Sequence, residues 1–116
     1  MESFDLNEFA EEIYQAHVQY YEARRKRDYA ERIYKSEYDK AFINTKFNEQ
    51  KLSIADREAR ARTNADVIAY QKALEDEQKI MDQKRAYLEK VLARKEMILD
   101  ANATARAETR LGSITT

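Results

Sequence analysis

The sequence predicts an all-α fold: a long antiparallel helical hairpin of coiled-coil character that dimerises into a four-helix bundle. Three observations predict it. The 116 residues contain no proline and one glycine, while 37% are charged, the composition of long helices rather than of strands joined by turns. Apolar residues recur at alternating spacings of three and four along two tracts, the period of a helical seam. Between the tracts, Ser53 with Asp56 three residues on forms a capping-box-like start, so a new helix should begin at Ile54 without a glycine or proline to mark the break.

Taken in order, the whole chain 1–116 reads as one hairpin domain. Met1 to Asp5 is a lead in which Ser3 or Asp5 can cap a first helix spanning about 5–50, and Glu8, Glu11 and Glu12 suit the positive end of its dipole. Its seam runs Leu6, Phe9, Ile13, Ala16, Tyr20, Ala23, Arg27, Ala30, Tyr34, Glu37 and Ala41. Phe42, Ile43, Phe47, Leu52 and Ile54 should close the hairpin end around a turn at about 50–53. The second helix, about 54–110, carries Val67, Tyr70, Leu74, Glu77, Met81, Lys84, Leu88, Val91, Lys95 and Ile98. Thr63 or Asn64, followed by Asp66, offers an alternative cap, hence a break near 63. Gly112 is placed as the helix stop, with a disordered tail over 112–116.

Folding back about residue 52 pairs positions whose numbers sum to about 104. Leu6 then meets Ile98, Ile13 meets Val91 and Ala30 meets Leu74, while Arg27 faces Glu77 as a register-specifying ion pair. The run Arg24, Arg25, Lys26, Arg27 lies beside Glu75, Asp76 and Glu77. Arms of roughly 45 residues at about 1.5 Å each make a rod near 70 Å long.

Charge and chemistry narrow the function classes. A net charge of −1 argues against coating nucleic acid through overall charge and leaves local patches as the route to polyanions. The chain has no cysteine and one histidine, His17, so thiolate chemistry and a histidine metal cluster are not expected. No Ser-His-Asp set or phosphate loop stands in the sequence, and a thin rod has no pocket in which to tune paired carboxylates. Neither an enzyme nor a cofactor is expected. The acidic start and the lack of an apolar run near the ~20 residues of a span point to a soluble, cytoplasmic protein with no membrane partner.

Two cationic sets stand out. Arg24, Arg25, Lys26 and Arg27 read either as a phosphate-contacting patch beside Tyr20, Tyr21 and Tyr29, or as hairpin ion pairing. Arg57 and Arg60 share a face near the hairpin tip, where they can grip a phosphate or an acidic surface. Glu58 can pair with Arg62. The eight tyrosines, concentrated on the first helix, suit half-wet interfaces along the seam and between copies.

The stretch Lys51 to Ile98, followed by Ala105 to Gly112, resembles a group of small helical proteins of tailed bacteriophages. The resemblance lies in a Ser-x-Ala-Asp/Glu-Arg-Glu-Ala turn (Ser53, Ala55, Asp56, Arg57, Glu58, Ala59) and an Arg-Ala-Glu-x-Arg-Leu tail. It implies two long helices and a phage accessory role in recombination or replication within the host cell. It also implies a recombinase, a single-stranded-DNA-binding protein or DNA as partner, and no catalytic residues. The function expected is therefore non-enzymatic binding by a homodimer, with Arg24, Arg25, Lys26, Arg57 and Arg60 as contacts. Rival expectations are an inhibitor of a host nuclease or defence protein, and a structural coiled-coil component of the virion or a scaffold.

Overall fold

The computed structural model describes residues 6–45 and 52–115. Within them lie three helices and no strand: α1 Leu6–Asn44, α2 Ile54–Thr63 and α3 Ala65–Thr115. The expected cap at Ser3 or Asp5, the continuation of the first helix toward residue 50, Phe47 and the start of the turn fall outside the described residues.

Local chemistry explains the helix ends. Ser53 sits in extended backbone and its Oγ accepts from the Asp56 amide at 3.1 Å, satisfying one of the donors that a helix start leaves open. Its hydroxyl in turn donates to Asp56 Oδ2 at 2.8 Å. The second tract is broken at Asn64, whose ψ of 131° leaves the helical region. There the Thr63 hydroxyl donates back to the Ala59 carbonyl at 3.0 Å, competing with helix continuation. Asn64 Oδ1 accepts from the Asp66 and Val67 amides at 2.9 and 3.3 Å. One residue thus ends α2 and caps α3. At the far end, Gly112 does not stop the helix: it lies within α3, and no glycine adopts positive φ, the conformation through which glycine terminates helices. The tail expected to be disordered from 112 is helical through Thr115.

α1 and α3 run antiparallel in the expected register. Cross-helix hydrogen bonds join Glu12 to Arg94, Gln19 to Lys84, Tyr20 to Arg85 and Arg27 to Gln78, all within two of the predicted sum of 104. The seam is asymmetric: α1 buries Phe9, Ala16, Ala23 and Ala41, whereas α3 buries Val67, Met81, Leu88 and Val91. Small side chains on one helix admit larger ones from the other. The core forms two clusters. One joins Ala16, Leu88 and Val91 with Ile13, Tyr20 and Leu92. The other joins Ala41, Ala61 and Val67 with Tyr34, Tyr38 and Phe42. Thr45, buried at the hairpin end, donates to the Phe42 carbonyl at 2.6 Å.

The molecule measures 94 × 23 × 14 Å, longer than 70 Å because α3, with 51 residues, outruns α1, with 39. In this register the part of α3 beyond Ile98 has no counterpart on α1. No helix among the described residues is long and apolar enough to cross a membrane. Leu88→Ala should lower the unfolding free energy by about 2–3 kcal/mol, since the thin seam cannot collapse onto the void. Ile68→Ala, at a site 50% exposed, should change it by less than about 0.5 kcal/mol, both read by urea denaturation.

Candidate functional site

The two apolar clusters are separated by a polar middle, and this is where the cationic run sits. Arg27 occupies a seam position, and its guanidinium is consumed locally. Nε donates to Gln78 Oε1 across the hairpin at 2.7 Å, while Nη1 engages Asp28 at 3.2 Å and Glu31 one turn on. The expected ion pair with Glu77 does not form. Arg27 reaches one residue past it, because Asp28 and Glu31 on its own helix already neutralise the charge and Gln78 accepts from Nε. Glu77 Oε2 is left buried without a hydrogen bond.

The pairing of the whole run with Glu75, Asp76 and Glu77 also fails. Arg24, Arg25 and Lys26 are exposed, and none of the ion pairs among the described residues involves them or their acidic counterparts across the hairpin. The reason is geometric. The observed register sets positions 24–26 beside 79–81 rather than 75–77, and Arg25, two residues or about 200° from the seam position Arg27, points away from α3.

An open groove of about 440 Å³ flanks the polar middle, with Tyr20, Arg24, Arg27, Gln78 and Arg85 among its walls. Arg85 lies over the Tyr20 ring, 5.7 Å from its centroid, and donates to the Tyr20 hydroxyl at 3.3 Å. That hydrogen bond moves its pKa further above the ordinary arginine value. Gln78 and Arg85 escaped the sequence reading because each stands one residue beyond the position, 77 or 84, that the register sum of 104 pairs with Arg27 and Tyr20. Arg32 was missed as well. It is exposed, makes no ion pair among the described residues, and lies seven residues from Arg25, two turns along the same face.

At the hairpin tip the two arginines differ. Arg57 is half-buried, and its Nε is closed off from solvent without a hydrogen-bond partner; Arg60 is exposed. Arg62 pairs with Glu58 at 3.3 Å. Among the described residues the tip therefore presents fewer free cations than the shaft. Among the described residues no group of histidine, cysteine or carboxylate side chains is placed to hold a metal ion, and His17 stacks on Tyr21 at 6.3 Å between centroids. The tyrosines divide: Tyr20, Tyr34 and Tyr38 pack on the core clusters, whereas Tyr14, Tyr21 and Tyr29 are 60%, 52% and 61% exposed.

No protein-family model, no curated protein and no solved structure matches this chain.

Glu31 makes the polar middle sensitive to acid. A hydrogen bond from Lys35, in a pair 3.1 Å long, and then the charge of Arg27 hold its carboxyl below the ordinary 4.5. A depressed carboxylate contributes stability above its unfolded pKa and loses it as pH falls through the folded value. Glu31→Gln should therefore lower the melting temperature slightly at about pH 7, and wild type and variant should converge as pH falls through the depressed folded value, as followed by circular dichroism.

Proposed function

We propose that the protein is a non-enzymatic accessory factor that works as a homodimer and binds a polyanion, DNA or an acidic partner surface, through Arg24, Arg25 and Lys26. The observation that carries this reading is that these three cations, at the centre of α1, are exposed and make no ion pair among the described residues. Residues 17–35 hold six Lys or Arg against three Asp or Glu in a chain of net charge −1. A local field of this kind steers an anionic partner to one place on a neutral molecule. The tailed-phage resemblance of Ser53 to Ala59 supplies the setting, recombination or replication in the host cytoplasm, and Arg60 at the tip is a secondary contact.

Surface area supports the dimer. The chain exposes 9357 Å², against about 6,600 Å² for a compact monomer of this mass. The excess exceeds what a stable interface covers. Ala73, Ile80 and Tyr87 recur every seven residues on one flank of α3, with Ile80 and Tyr87 41% and 42% exposed, the spacing of a stripe that pairs with another helix. A second hairpin packed there makes the four-helix bundle.

Fluorescence anisotropy of labelled DNA tests the reading, with sedimentation equilibrium on the same samples expected to return twice the chain mass. Affinity should fall about eighteenfold between about 50 and 200 mM salt, as for three single-strand phosphate contacts. It should be lost in Arg24→Glu/Arg25→Glu/Lys26→Glu and reduced less by Arg60→Glu. Absence of DNA binding at low salt by a folded dimer would remove DNA as the polyanion, and unchanged binding by the triple reversal would remove the site.

A further inference from the structure

The outer face of α1 carries an order that polyanion binding alone does not require. Opposite the buried Ala16 and Ala23, and so pointing away from α3, stand Tyr14, Tyr21, Arg25, Tyr29 and Arg32, all exposed. Tyr21, Arg25 and Tyr29 are four residues apart and Arg32 follows three later, so ring, cation, ring and cation succeed one another at intervals of about 5–6 Å. Tyr21 is braced from behind by His17, whose ring lies 19° from parallel to it.

Deepening the polyanion reading above, and resting on it, we infer that this ridge binds single-stranded nucleic acid, with Arg25 and Arg32 on phosphates and Tyr21 and Tyr29 stacked on bases. The chemistry separates this ligand from its competitors. A duplex, whose bases are stacked at 3.4 Å along each strand, offers phosphates but no free base face. An unstacked strand is longer by up to about twofold, so that two nucleotides span the about 10.5–12 Å between like groups on the ridge, and every base then has a face for an aromatic ring. An acidic protein surface uses the arginines and leaves the tyrosines wet. A second copy is disfavoured by charge: Arg25 lies at the midpoint of α1 (Leu6–Asn44), so a two-fold axis through the centre of this face would set the cationic cluster against itself.

The test compares a labelled 20-nucleotide oligothymidylate with a 20-base-pair duplex on the full-length protein at about 50 mM salt. The single strand should bind at least tenfold more tightly. Tyr21→Leu and Tyr29→Leu, which keep an exposed helical residue, should each weaken it about tenfold and leave the salt slope and the duplex affinity unchanged. Arg25→Gln and Arg32→Gln should each reduce the slope by about 0.7. Equal affinity for strand and duplex, or tyrosine variants that bind the strand like wild type, would overturn the stacking ridge while leaving polyanion binding intact. Loss of all nucleic-acid binding in the wild type would overturn the ridge and remove nucleic acid as the polyanion.

Discussion

Two helices can share only one stripe each, and this limit governs the molecule. With no third layer, every buried contact has to be made along a single seam, and the seam succeeds because α1 supplies Ala16, Ala23 and Ala41 where α3 supplies Val67, Met81, Leu88 and Val91. Alanine lets the helix axes approach, and the larger residues opposite fill the space. The same limit leaves far more surface in water than a compact chain of this size would. Self-association and ligand binding are then two uses of surface that the hairpin cannot cover by itself.

The polar middle follows from the seam. Clusters at either end hold the helices together, so the centre can tolerate Arg27, Gln78 and Glu77 between them. Arg27 is neutralised within its own helix and crosses the hairpin with a neutral partner, which fixes register without burying an isolated charge. With Arg27 inward, helical geometry points Arg25 away from α3 and leaves Arg24 and Lys26 on the flanks of the seam, all three exposed. A residue that serves the fold thereby sets its neighbours free for binding.

Much of this was legible in the sequence. Most seam residues, the Ser53 cap and the register came from periodicity and capping chemistry, which are local properties read directly from residue types, although Tyr70 and Lys95, expected on the seam, are exposed. The break at Asn64 was visible only as an alternative, since an asparagine followed by an aspartate serves equally well inside a loop or at a cap. Gly112 misled because a terminating glycine acts through positive φ, and sequence does not reveal whether the backbone takes it up. The candidate site was half legible. Composition marked the arginine run, but pairing it with the acids on α3 treated charge as a property of a segment, whereas on a helix it belongs to a direction. Gln78 was invisible for the same reason: a search for opposite charges passes over a neutral partner.

The most direct test of this account uses the absence of cysteine. Cysteines placed at Gln19 and Lys84, whose side chains meet at 3.3 Å, can be challenged with a bismaleimide spanning about 8 Å and compared with pairs shifted by one heptad, about 10.5 Å along α3. The account predicts rapid bridging within one chain for 19 with 84, and little for 19 with 77 or 19 with 91. Preferential bridging of a shifted pair, or bridging of 19 with 84 only between chains, would contradict the hairpin register on which the seam, the polar middle and the outward-facing cations all depend.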